Sequence, residues 1–277
     1  MVISIQNQKG GVGKTTSAIG LADAARNAGL SILLVDLDPQ ASASNWLGVE
    51  TDADTVLGLS DLLAGPDWGG VNDPNRAIQN ARPKDHRPEL HLLAADEALM
   101  LVESDLGRQG ITRALSDVLE VLRPRYDLIL LDGGPAITAL SSNALFAADI
   151  ALVPLTLSSI AIDGIVRLRR LLDLARQQGH QIRDLYVPTA ADRRLRETRD
   201  LEGALHEAFG TVPEGSVLPS IRYSSALSRA FGFRELPSEY EARVSAELKR
   251  PDPAATRAVS DYGDLLNNLQ DVVLSIA

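Results

Sequence analysis

Apolar positions along the chain fall into two kinds of run. Short continuous runs end in an acid or a turn residue, as in Ser31-Ile32-Leu33-Leu34-Val35-Asp36, Tyr126 to Asp132, and Ile150-Ala151-Leu152-Val153-Pro154. Unbroken hydrophobicity of this length suits parallel strands covered on both faces. Longer stretches between them carry apolar residues at helical spacing. The pattern predicts strands at about 2–7, 31–36, 90–93, 126–132, 150–154, 184–189 and 216–219. Helices are predicted at about 15–28, 96–107, 110–122, 138–148, 159–178, 194–209, 224–231, 238–249 and 254–274, with shorter ones in 41–65. Residues 66–88 hold Pro66, Gly69, Gly70, Pro74, Pro83 and Pro88 and read as the most loop-like stretch. Alternating strands and helices predict an α/β protein with a doubly wound, mostly parallel sheet in three layers. A single domain is expected over 1–277, with a helical C-terminal part at 224–277.

Composition narrows the chemistry. The chain has 277 residues, 45% of them hydrophobic, enough for one large core. It has no cysteine, which excludes disulfides, iron–sulfur clusters and zinc–thiolate sites. His86 and His91 show no metal-ligand spacing and read as structural. No apolar run reaches the ~18 residues of a membrane span, and the N-terminus lacks the basic and apolar segments of a signal peptide. The net charge of −10 argues on its own against a dedicated nucleic-acid binder. Its distribution argues the other way. Between Arg167 and Arg199 nine arginines face four acids, Asp173, Asp184, Asp192 and Glu197, a local excess of five positive charges. Such a cluster either neutralises DNA phosphates without reading bases or is a solvated helix face.

The chain is organised around Gln8-Lys9-Gly10-Gly11-Val12-Gly13-Lys14-Thr15-Thr16. A strand precedes it and a helix follows, the context of a phosphate-binding loop. Backbone N–H groups and the helix dipole favour anionic oxygens there. Lys14 would neutralise the β- and γ-phosphates, and Thr15 would place its hydroxyl on Mg²⁺. A plain glycine turn with solvated lysines would not put two lysines, three glycines and two threonines in this register. Of four lysines in the chain, at 9, 14, 84 and 249, two are here. The apolar run ending at Asp132 has the Walker B pattern, which would make Asp132 the second Mg²⁺ group. Two more carboxylates, Asp36 and Asp38, follow a strand beside this loop, where ligands bind in open α/β sheets. Trp46 reads as core or interface.

The first position of the strict loop pattern is Gln8 rather than glycine, and Lys9 follows it. K-G-G-x-G-K-T-T resembles the deviant Walker A motif of the ParA/MinD group of P-loop ATPases, and D-x-D-P-Q at 36–40 resembles that group's second motif. The resemblance spans essentially the whole chain. It implies ATP and Mg²⁺ as cofactors and an ATP-sandwich homodimer in which Lys9 reaches the partner's phosphates. It implies that Asp38 orients the attacking water and that Asp36 supports Mg²⁺ or the loop from behind. Lys9, Gly10, Gly11, Val12, Gly13, Lys14, Thr15 and Thr16 would hold the nucleotide, Pro219 would lie against the adenine, and Thr189 would flank it. One departure stands out: the family shows D-x-P-P where this chain has Asp132-Gly133-Gly134-Pro135.

By the same resemblance the dimer binds nonspecific DNA through basic residues, here Arg193, Arg194, Arg196, Arg199 and Arg222. It implies a cargo-bound, ParB-like activator of hydrolysis and a cytoplasmic, nucleoid-associated protein that partitions or positions a plasmid, a chromosome or a protein assembly. The loop begins at residue 9, so no helix-turn-helix domain is expected before it. The tail from Asp261 to Ala277 has no Lys or Arg, unlike the basic membrane helix of MinD-like proteins. Relatives that depend on cysteines or a tyrosine-rich tail do not fit. Two rivals remain: a regulatory ATPase of the same fold acting on a protein without DNA, and a small-molecule P-loop ligase or kinase.

Overall fold

A computed structural model of the chain describes residues 1–49, 57–64, 73–82, 85–157, 161–192, 200, 202, 203, 205, 207 and 217–274. Its strands are β1 (Val2–Ile5), β2 (Ile32–Asp36), β3 (Ile78–Arg82), β4 (Leu90–Leu93), β5 (Leu128–Asp132), β6 (Ile150–Thr156) and β7 (Arg183–Thr189). They form one seven-stranded sheet in the order β3-β4-β2-β5-β1-β6-β7. Every pairing is parallel except β3 with β4, which is antiparallel. The helices are α1 (Lys14–Asn27), α2 (Ser42–Leu47), α3 (Leu59–Leu63), α4 (Leu99–Gln109), α5 (Ala114–Leu122), α6 (Ala139–Ala147), α7 (Ala161–Gln177), α8 (Ser225–Gly232), α9 (Pro237–Leu248) and α10 (Pro253–Leu274).

Successive strand residues point to opposite faces, and here both faces are apolar. Ile3, Ile5, Ile32, Leu34, Leu128 and Leu130 join a core with α1 and the C-terminal helices α8 to α10. Val2, Leu33, Val35, Ile129 and Leu131 join a second core with α3 to α7. The continuous runs were therefore a true sign of a doubly covered sheet. The carboxyl ends of the central strands meet in one place: Ile5 pairs with Asp132, and Asp36 pairs with Asp132 on the other side.

Two expectations change. The loop-like stretch contains β3, an edge strand with a register shift between Asn80 and Arg82; antiparallel addition at an edge needs no long apolar run. The strand expected at 216–219 is a single bridge from Val217 to Tyr186, with a second from Arg222 to Ala191. Most of the helix expected at 194–209 lies outside the described residues; 200, 202, 203, 205 and 207, which are described, are helical.

Candidate nucleotide site

The loop after β1 turns through Gly11 and Gly13, both left-handed at φ +74° and +86°, a conformation that favours glycine. Gly13 starts α1 without a side-chain cap, and the first turn of α1 carries no acid. Its N–H groups and dipole are thus left for an anion. Two side chains hold the loop in place. Asn7 donates to Pro154 O (2.7 Å) and accepts from the Lys9 N–H (3.0 Å). Thr189, at the end of β7, donates to Val12 O (2.7 Å). Lys14 is buried and its ammonium donates to Lys9 O at 3.3 Å. Burial pulls the Lys14 pKa down, against the opposing pull of Asp132 and Asp38.

Asp132 is fully buried, and neither carboxylate oxygen accepts a hydrogen bond of proper geometry. Desolvation, and then the neighbouring Asp36, push its pKa well above the carboxylate range; the nearby Thr15 hydroxyl and Lys14 offset this only in part. A buried, unsatisfied carboxylate is costly, and a cation beside it removes the cost. Among the described residues no three His, Cys, Asp or Glu side chains cluster to hold a metal by themselves. A cation here would draw on Asp132, Thr15, phosphate oxygens and water, the habit of Mg²⁺. The residues present fit that ion.

Asp36 is committed elsewhere. Its Oδ2 accepts from the Ser44 N–H and hydroxyl, both at 2.8 Å, and its Oδ1 accepts from the Asp38 N–H at 3.2 Å. Burial pushes its pKa up to about 6. It thus shapes the turn that carries Asp38. Asp38 is half-buried, and its Oδ1 accepts from the Gln40 N–H at 3.0 Å. It lines a small cavity of about 90 Å³ with Gln6, Gly133, Gly134, Glu103 and Thr138. Gly133 has a concrete reason to be glycine: a Cβ there would lie 2.4 Å from the Gln6 amide. Gly133 stands at the variable position of D-x-P-P; the departure is Gly134, where the nearest neighbour of a Cβ would be Asp38, at an ordinary 3.7 Å.

On the other side of the loop lies a cavity of about 460 Å³. It is lined by Gly11, Val12, Gly13, Thr15 and Thr16 of the loop and by Trp46, Ile221, Arg222, Tyr223, Leu227 and Phe231, among others. Trp46 is buried, donates to Glu235 O (2.8 Å) and meets Phe231 edge-on. Pro219 is exposed and does not line the cavity. Ile221 to Tyr223 take that place because the Ile221 N–H bonds Pro188 O and the Tyr223 N–H bonds Ala191 O, drawing the segment along the end of β7. Of the expected DNA-contacting arginines, Arg193, Arg194, Arg196 and Arg199 lie outside the described residues. Arg222 is inside, ion-paired to Asp261 at the cavity wall. Within the arginine cluster, Arg169 and Arg176 both pair with Asp184. His91 bonds Tyr126 and Glu89, as a structural histidine would. Gln6, Glu103, Asp261 and Tyr262 were not singled out by sequence reasoning. No local motif marks them, because each meets the site through the fold.

A glycine loop on a parallel sheet, a buried lysine and an unsatisfied aspartate at the neighbouring strand end define a P-loop nucleotide-binding protein. A family model described as AAA domain matches residues 1–184. The chromosome partitioning protein ParA of Caulobacter vibrioides is 34% identical over 234 residues, covering 82% of this chain and 84% of that one. The chromosome-partitioning ATPase Soj of Thermus thermophilus is 33% identical over 258 residues, covering 87% and 96%. Apo McdA of Cyanothece superposes with a TM-score of 0.74 at 22% identity over 93% and 98% of the two chains, a likeness of fold. Cobyrinic acid a,c-diamide synthase of Mycobacterium smegmatis, solved with ADP and magnesium, superposes at 0.69 with 27% identity over 91% and 98%. The chain belongs to the ParA/Soj family of partitioning ATPases.

Proposed function

We propose that this chain hydrolyses ATP with Mg²⁺ as a homodimer on nonspecific DNA, and so partitions or positions a cargo. The observation that carries the reading is the second lysine, Lys9, set five residues before Lys14 on a loop beside the unsatisfied Asp132. Loop amides and Lys14 hold the phosphates, and Gly10 to Thr16 wrap them. Asp132 and Thr15 hold Mg²⁺, with Asp36 bracing the adjoining turn. Bound there, the ion supplies charge neutralisation on the β- and γ-phosphate oxygens. Asp38 places the attacking water from the smaller cavity, and the partner's Lys9 completes the charge on the transferred phosphoryl group. DNA is held by Arg193, Arg194, Arg196 and Arg199. A cargo-bound, ParB-like protein stimulates hydrolysis and releases the dimer. The protein works in the cytoplasm on the nucleoid, without a membrane; among the described residues no helix is long and apolar enough to cross one.

The test is retention on an arbitrary DNA duplex with no nucleotide, with ADP, and with ATP plus Mg²⁺, at two salt concentrations. Salt-sensitive retention with ATP alone, lost in Lys9→Ala together with dimerisation, is the expected result. ATP turnover without retention in any state would move the function to a protein partner. Turnover only with an added small-molecule acceptor would point to ligase chemistry.

A further inference from the structure

The smaller cavity, about 90 Å³, is too small for a nucleotide and has room for a few waters, which take roughly 30 Å³ each in the liquid. Three of its lining residues come from distant parts of the chain and carry polar atoms that no other described residue takes up. Gln6, just after β1, is buried, and its amide Nε2 has no hydrogen-bond partner. Asp38 commits Oδ1 to the Gln40 N–H and leaves Oδ2. Glu103, half-buried on α4, makes no ion pair or hydrogen bond among the described residues. The Ser141 hydroxyl, by contrast, is spent on Ala136 O (2.7 Å). Gln6 and Asp38 bear on adjacent residues of one turn. A Cβ on Gly133 would lie 2.4 Å from both polar atoms of the Gln6 amide, and a Cβ on Gly134 would lie 3.7 Å from the Asp38 carboxylate. The Asp38 charge is felt at both Lys14 and Asp132, so the cavity it lines adjoins the phosphate and cation positions.

A buried amide donor left unpaired is costly. A water in the cavity that the amide lines removes that cost, and a water held in one orientation needs several polar partners. Ionised carboxylates such as Asp38 and Glu103 offer it acceptors alone. The Gln6 amide supplies the missing donor.

Resting on the ATPase reading above, we propose that Gln6 is a second residue that holds the attacking water: its amide donates to the water oxygen while Asp38 accepts from the water. Gln6 orients that water and neither gives nor takes a proton. The test uses Gln6→Met, which keeps length and packing over Gly133 without a donor, and Gln6→Glu, which keeps the shape and donates only when protonated. Three quantities are compared with the wild type: the single-turnover rate, the calorimetric affinity for ATP with Mg²⁺, and the affinity for ADP with aluminium fluoride, a mimic of the transferred phosphoryl group with the water in line. Gln6→Met should hydrolyse roughly tenfold more slowly and bind the aluminium fluoride complex roughly tenfold more weakly, with ATP affinity kept within about twofold. Gln6→Glu should regain rate relative to the wild type as the pH falls from about 8 to about 6, because burial and the neighbouring acids favour its protonated form. A packing role for Gln6 predicts neither result. Wild-type hydrolysis in Gln6→Met, equal loss for ATP and the aluminium fluoride complex, or a Gln6→Glu rate in fixed ratio to the wild type across this pH range would each overturn the proposal and leave the ATPase reading standing. Normal turnover in Asp38→Ala, or no hydrolysis by the wild type, would overturn both.

Discussion

Replacing Gly133 by Ala tests the packing beside the buried Asp132. The new Cβ would lie 2.4 Å from both Nε2 and Oε1 of Gln6, and 2.5 Å from its Cδ. Gln6 is 3% exposed, so its amide has little room to swing away. Overpacking of this kind costs about 1–3 kcal/mol. A loss of ~2 kcal/mol in a chain of this size lowers Tm by ~4–8 °C. The Gln6 Nε2 has no hydrogen-bond partner, so Gln6→Ala gives up packing but also removes a buried unsatisfied donor. In the double variant the clash is gone. Urea denaturation of the four proteins should therefore show Gly133→Ala clearly destabilised and the double variant recovering at least half of the loss. That is a favourable interaction of about 1–2 kcal/mol between the two sites, within the range seen for residues in contact. Two effects that simply add within ~0.5 kcal/mol, or a neutral Gly133→Ala, would refute the account of why position 133 is glycine.

Three further outcomes are expected. Asp36 titrates at about 6 in the folded protein and Asp132 is raised as well, while unfolded aspartates titrate near ~3.9. The folded state thus holds more protons between these values, and stability falls as pH rises through 6. The Tm of nucleotide-free protein should drop from pH 5 to pH 7, and Asp132→Asn should flatten that slope; a Tm rising over the same interval in both proteins would contradict the burial argument. Gly20→Ala should lower Tm by a few degrees because of the fully buried Tyr262 ring, although alanine is the better helix former; a raised Tm would show that the ring yields. Asp38→Ala should keep ATP affinity and lose hydrolysis in single-turnover assays, and normal turnover would remove Asp38 from its role.

Much of this protein could be read from local pattern, for a physical reason. A strand buried on both faces must be apolar throughout, so β2, β5 and β6 declared themselves, each with its end within a few residues. Helices with one apolar face did the same. The phosphate loop was legible because its chemistry is contiguous: glycines for left-handed turns, a lysine and hydroxyls at the start of a helix. Asp36, Asp38 and Asp132 could be placed because a parallel sheet brings the carboxyl ends of its strands together.

Other features depend on residues far apart in the chain, and only the tertiary structure decided them. The edge strand β3 is polar enough to pass for loop, since an edge needs hydrogen bonds more than hydrophobicity. The bond from Thr189 to Val12 spans 177 residues, and the Asp23 carboxylate accepts from Ser238 across 215. That Gln6 fills the space over Gly133, that Asp36 serves Ser44, that Asp132 is left unsatisfied, and that Asp261 pairs with Arg222 are all matters of close packing. Sequence determined which groups the site could contain. Packing determined which of their atoms are spoken for and which are left for a ligand, because a hydrogen bond or a clash is settled within an ångström.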